Sequence, residues 1–154
     1  MSARTPLALA LAGLLGLAAT HDAQAARGFD VRDLQKLDRV SSPVLSPDGA
    51  RVVFAKREIA MENGGKDFGK ASTSLWSRDL RTRDLAPPRR ITPVAWNVNS
   101  PAFSADGQTL YFLSAFGGSQ QVYAMPAAGG VPRQLTRFPL DVGSFKLSPD
   151  GSRI

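Results

Sequence analysis

One tetrapeptide recurs three times in this chain, as Ser46-Pro47-Asp48-Gly49, Ser104-Ala105-Asp106-Gly107 and Ser148-Pro149-Asp150-Gly151. Proline at the second position of a turn fixes φ, aspartate tolerates the third, and glycine accepts the left-handed geometry that follows. Each copy follows a short apolar stretch. The first two also precede one, Arg51-Val52-Val53-Phe54 and Thr109-Leu110-Tyr111-Phe112, so the unit reads as a hairpin between two strands. A second landmark repeats in register with the first. Leu75-Trp76-Ser77-Arg78-Asp79-Leu80 leads through Pro87-Pro88-Arg89-Arg90 to Ile91-Thr92. Val122-Tyr123-Ala124-Met125 leads through Gly129-Gly130-Val131-Pro132-Arg133-Gln134 to Leu135-Thr136.

Four short strands in a unit of about 40–45 residues are the pattern of a propeller blade. The turn aspartates Asp48, Asp106 and Asp150 are 58 and 44 residues apart, and the first unit's surplus lies between Ile59 and Ser74. There Asn63-Gly64-Gly65 and Lys66-Asp67-Phe68-Gly69-Lys70 predict an extended hairpin loop. The expected fold is all-β: an incomplete β-propeller of about two and a half blades, since propellers close with about four to eight. The alternative is an unrelated antiparallel β-sandwich that reuses one good turn. Because the third copy stops at Arg153-Ile154, in mid-strand by comparison with the others, the expectation is a chain that opens a longer protein.

The residues ahead of the repeats read differently. Arg4 supplies a positive start, Leu7 to Ala19 is an uncharged run of Leu, Ala and Gly, and Ala23-Gln24-Ala25 offers small residues to a signal peptidase. Residues 1–25 are therefore expected to be a signal peptide, cleaved between Ala25 and Ala26. The 13 apolar residues are short of the roughly 20 that span a bilayer, so no stable membrane anchor is expected. Residues 26–41 form the next segment, with a helix predicted over Asp30–Val40. Val31, Leu34, Leu37 and Val40 fall on one broad face, Asp30 can cap the start, and Asp33 suits the dipole of the first turn. Ser41-Ser42-Pro43 is expected to end that helix, and residues 42–154 to make the partial propeller.

Composition excludes several chemistries. There is no cysteine, and the only histidine, His21, lies inside the expected leader. Beyond it neither a Ser-His-Asp nor a Cys-His constellation is possible, and histidine or thiolate zinc sites are excluded as well. Gly117-Gly118-Ser119-Gln120-Gln121 lacks the closing glycine of a nucleophile elbow, and no phosphate-binding glycine loop occurs. Export without cysteine suits a periplasmic or secreted protein whose core needs no disulfide. The net charge of +6 comes from scattered arginines and lysines without interleaved aromatics. It predicts a solvated basic surface and no nucleic-acid partner.

Glu58 and Glu62 flank the first long loop as a candidate carboxylate pair, but a charged hairpin rim explains both without catalysis. Asp48, Asp106 and Asp150 read as turn formers with Gly49, Gly107 and Gly151, and not as calcium ligands. No catalytic residue, metal or cofactor is expected in this chain. Phe54, Trp76, Phe103, Tyr111, Phe112, Phe116 and Tyr123 should pack between blades, while Trp96, just ahead of the second unit, is the weak candidate for a ligand-facing ring.

The leader, the short helix and Val40-Ser41-Ser42-Pro43-Val44-Leu45-Ser46-Pro47-Asp48-Gly49 resemble the start of exported bacterial prolyl oligopeptidase family (S9) peptidases, in their dipeptidyl aminopeptidase/acylaminoacyl peptidase branch. The repeats are similar to those of that family and of TolB-type periplasmic propellers. The resemblance implies a propeller that filters peptide substrates before a separate α/β-hydrolase domain carrying Ser, Asp and His. No catalytic position of that domain falls within this sequence. A non-catalytic, TolB-like propeller that binds protein partners is the alternative.

Overall fold

In the computed structural model, residues 28–62, 67–81 and 86–154 are described. The expected signal peptide, its Ala25–Ala26 junction and the Asn63-Gly64-Gly65 turn lie outside them. Helix α1 spans Val31–Lys36, followed by β1 (Arg39–Leu45), β2 (Arg51–Glu62), β3 (Asp67–Asp79) and β4 (Arg89–Arg90). A 3-10 turn at Val94–Trp96 leads to β5 (Val98–Phe103), β6 (Thr109–Ser114), β7 (Gln121–Pro126) and β8 (Arg133–Gln134). The strands form two four-stranded antiparallel sheets, β1-β2-β3-β4 and β5-β6-β7-β8, each in simple sequence order. These are two consecutive propeller-type blades, open and not closed into a ring.

Alternation along the strands decides which faces meet. Val53, Ala55 and Leu75 of the first sheet and Val98, Leu110, Phe112, Tyr123 and Met125 of the second form one buried cluster. Val53, Leu75, Leu110 and Phe112 have no exposed surface, and each such side chain contributes about 1.5–3 kcal/mol of transfer free energy. Two arginines tie the sheets at their margin. Arg51 Nη1 donates to the Ala127 carbonyl at 2.8 Å, and Arg89 Nη2 donates to the Ala128 carbonyl at 2.7 Å.

The second landmark is a strand-locking device. In the first blade Leu75 N–H donates to Thr92 Oγ1 (2.8 Å) and Ile91 N–H to the Leu75 carbonyl (2.8 Å). In the second, Val122 N–H donates to Thr136 Oγ1 (2.9 Å) and Leu135 N–H to the Val122 carbonyl (2.8 Å). A two-residue outer strand has few ladder bonds to hold it, so the threonine extends its grip on the third strand.

The helix is shorter than the sequence predicts. It stops at Lys36, and Val40 belongs to β1, paired with Lys56. Ladder bonds to β2 outweigh the helical pattern there, and Ser41-Ser42-Pro43 makes a bulge inside β1 rather than a helix stop. Nor do Val31, Leu34, Leu37 and Val40 bury a common face: each is half exposed or more. The surplus of the first unit is also corrected. Most of it is paired strand, with β2 and β3 of 12 and 13 residues against 6 in each of β6 and β7. The third unit forms its turn, with Ser148 N–H donating to the Arg153 carbonyl at 3.0 Å, but residues 135–154 contain no assigned strand.

Candidate functional site

Strand register sorts the candidate residues to two ends of the blades. At one end sit the repeat turns. Gly49, Gly107 and Gly151 have φ of 68°, 71° and 70°, the left-handed region that glycine enters without strain. In every copy the serine is wired to the returning strand. The Ser46 hydroxyl accepts from Arg51 N–H, Ser104 from Thr109 N–H and Ser148 from Arg153 N–H, each at 2.9 Å. Ser46 in turn donates to Asp48 Oδ1 (2.6 Å), which also accepts from Ala50 N–H (3.1 Å).

The Ser46 bond, the Ala50 amide and the neighbouring Arg81 guanidinium hold the Asp48 carboxyl below its usual range. Ser104 and the Gln108 amide do the same for Asp106. Ser148 and Ser152 bring Asp150 down to about 2. These carboxylates are occupied in shaping turns and are fully ionised at neutral pH. A cleft of about 310 Å³ runs between the first two turns, bordered by Asp48, Arg51, Asp79, Arg81, Asp106 and Gln108. Pro47 packs against Gly107 beside it, where an added Cβ would stand 3.1 Å from the proline Cδ. Among the described residues no group of three or more metal-ligating side chains exists.

The opposite end carries the aromatics. Trp96 stacks on Phe116 at 4.1 Å between centroids and 9° between planes, and meets Tyr123 edge-on at 5.4 Å. Trp96 is half-buried against the core cluster, so it is Phe116, 55% exposed, that shows its ring to solvent. The Ser114 hydroxyl donates to the Trp96 carbonyl (2.6 Å), and the turn closes on Asn97 at φ 48°. The first strands β1 and β5 pack together, and each bulges at a serine with positive φ before a proline: Ser42 (50°) before Pro43, and Ser100 (51°) before Pro101. Sequence reasoning misses this pair. Its signal is the alignment of Ser42-Pro43 with Ser100-Pro101, at the same distance ahead of the repeat turn.

On the outer face of the first blade, Lys56 Nζ sits 4.4 Å from the Trp76 ring centroid and Arg90 Cζ 5.1 Å from it. Glu58 joins these cations, at 3.1 Å from each, and Asp38 lies 2.7 Å from Lys56. Asp38 and Glu58 raise the Lys56 pKa above its ordinary value. Glu58 is thus engaged in an ion-pair chain; the side chain of Glu62 lies outside the described residues.

Comparison with known proteins bears on this arrangement. No protein-family profile matches the sequence. A peptidase of Bacillus subtilis, YuxL, is 32% identical over 123 residues, 79% of this chain and 18% of its own length. Dipeptidyl-peptidase 5 of Porphyromonas gingivalis is 34% identical over 120 residues, 77% of this chain and 16% of its own. This chain is related to peptidases. It spans less than a fifth of the length of these curated relatives. Among solved structures, TolB from Acinetobacter baumannii aligns with a TM-score of 0.45 and 22% identity over 64% of this chain and 21% of its own. A puromycin-hydrolysing peptidase of Mycobacterium tuberculosis aligns with a TM-score of 0.37 and 13% identity over 66% and 24%. No helix among the described residues is long and apolar enough to cross a membrane.

Proposed function

We propose that this chain is the non-catalytic, substrate-gating propeller segment of a periplasmic or secreted S9-type serine peptidase. The observation that carries the reading is the joint one: two successive blades in a chain at least 32% identical to two peptidases over more than three-quarters of its length. The chain's own chemistry agrees. With histidine confined to position 21 and no cysteine, the blades supply shape and contacts, and the acyl-transfer machinery belongs to another part of the protein. Its partners are peptides, selected by size and presented to that machinery; neither nucleic acid nor a cofactor has a role. The leader-like residues 1–25 support export.

The intact gene product tests the reading. It should cleave short chromogenic peptides and spare a folded protein of the same sequence content. Equal cleavage of both refutes gating. A product that cleaves neither but captures periplasmic proteins supports the second reading, a TolB-like binding propeller.

A further inference from the structure

The first blade carries an extension that blade formation does not need. The last pairings of the flanking strands are Arg39↔Arg57 for β1 and Trp76↔Arg90 for β4, yet β2 and β3 stay paired beyond both, with Glu58 opposite Ser72 and Ile59 opposite Ala71. The result is a two-stranded ribbon rising past the sheet at its aromatic end, with an edge on each side. The edges are not alike. Helix α1 packs against β2. On the other side, the β3 ladder is regular from Asp79 back to Ala71. It then shifts, because Phe68 pairs with Met61 and so places Gly69 and Lys70 opposite a single β2 residue. That bulge ends the straight part of the β3 edge.

The amide directions follow from alternation. Leu75 N–H points outward to Thr92, and Thr73 N–H points outward to Asn97 Oδ1 at 3.2 Å. With a period of two, Ala71 also presents its N–H and C=O groups on that side. The 3-10 turn Val94–Trp96 lies against β3, and Asn97 caps the edge at Thr73. β4 would have continued along this line, but its chain turns away at Pro93. Among the described residues a short open edge is left, with Asn97 as a stop at one end and the Gly69–Lys70 bulge at the other.

We infer that the β3 edge at Ala71–Thr73 receives an extended peptide as an added antiparallel strand, beside the Val94–Trp96 turn. This inference rests on the peptidase reading and names where such a protein first holds its substrate. The Ala71 N–H and C=O and the Thr73 C=O supply the main-chain bonds. Such bonds hold a peptide with little regard to its side chains, which suits a gate that measures length and extension. The alternative occupant is the same edge of a second copy. Three residues of edge reach about 10 Å, and at the roughly 5 Å between paired strands they cover on the order of 50 Å², far short of the roughly 800 Å² per partner of a stable dimer, so the geometry favours a short and transient guest.

The intact gene product is titrated into a fluorescein-labelled, acetylated octapeptide rich in valine and threonine and made soluble by two terminal lysines, followed by anisotropy. Ala71→Pro removes the outward donor at an edge position that tolerates proline. It should weaken binding of the octapeptide at least tenfold. The same octapeptide N-methylated at four consecutive residues should lose binding to the unaltered protein by a similar factor, a result independent of any folding defect. Unchanged affinity in either comparison overturns the inference. So does an Ala71→Pro protein that sediments as a smaller species but binds the peptide as before, since the edge then joins two copies. If peptide binding follows the edge while no hydrolysis of any substrate is found, the peptidase reading fails and the docking edge stands.

Discussion

Gln121 offers the sharpest test of how the second blade holds the chain that follows it. Its side chain is 1% exposed and sits at the head of β7, yet it is polar. Its Nε2 donates to Ser119 Oγ (3.0 Å) and to the Phe138 and Leu140 carbonyls (3.0 and 3.2 Å). Its Oε1 accepts from Thr136 Oγ1 (2.8 Å) and Phe138 N–H (3.0 Å). One amide thereby fastens residues 136–140 to the blade. Gln121→Leu keeps a similar volume and removes every bond. Phe138 and Leu140 are exposed, so their carbonyls recover water. The Phe138 amide and the Thr136 hydroxyl lose their acceptor, at about 1–3 kcal/mol for a group left unsatisfied.

We expect a loss of about 3 kcal/mol, concentrated locally, because Gln120 separately holds Asp141 and Val142. Native-state hydrogen exchange reads this directly. The Phe138 amide should exchange about a hundredfold faster, while the Leu110 and Phe112 amides keep their protection. Uniform acceleration across both sheets, or no change at Phe138, would refute the view of Gln121 as a local clamp.

Other outcomes follow from the same geometry. Phe112→Ala should cost about 3–5 kcal/mol in denaturant unfolding, because the side chain is fully buried where the two sheets meet. Gly49→Ala and Gly107→Ala should each cost about 1–2 kcal/mol for a left-handed alanine. Gly107→Ala should cost about 1 kcal/mol more from overpacking against Pro47, an excess that Pro47→Ala removes in a double-mutant cycle. The carboxyls of Asp48, Asp106 and Asp150 are depressed in the folded chain, so their contribution is complete above the ordinary value of 3.8 and lost as pH falls through the folded value, about 2 for Asp150. Carboxyl titration by NMR should show Ser152→Ala moving the Asp150 midpoint upward, because the Ser152 hydroxyl donates to Asp150 Oδ2 at 2.7 Å. An unmoved midpoint would show that this bond does not hold the carboxylate.

The architecture is legible in the sequence wherever local chemistry and repetition agree. The turn tetrapeptides announce β1–β2 and β5–β6, and the Leu75-Trp76 and Val122-Tyr123 runs announce the third strands, because a period of two and a left-handed glycine are written in adjacent residues. Less is readable at the helix. Val31, Leu34 and Leu37 keep a helical spacing that continues to Val40, but Arg39–Leu45 is claimed by pairing with β2, a partner invisible in the local sequence. The ribbon reads as a loop for the same reason, since Asn63-Gly64-Gly65 marks a turn without saying how long its arms are.

Trp96 stands out in the sequence by its place ahead of the second unit. Its stacking on Phe116 does not, because the two rings are 20 residues apart and meet only when the chain from Trp96 is folded back along β5 and β6. The serine of each repeat turn holds the returning strand, a role hidden behind the more familiar proline and glycine.

We propose that these blades gate a serine peptidase whose chemistry is carried elsewhere in the protein. The direct measurement is fluorophosphonate labelling of the intact gene product, with the modified residue located by peptide mass spectrometry. A single labelled serine outside residues 28–154 is expected, in a protein that cleaves short peptides. A label on any serine of this chain, or a product that is never labelled, would contradict it.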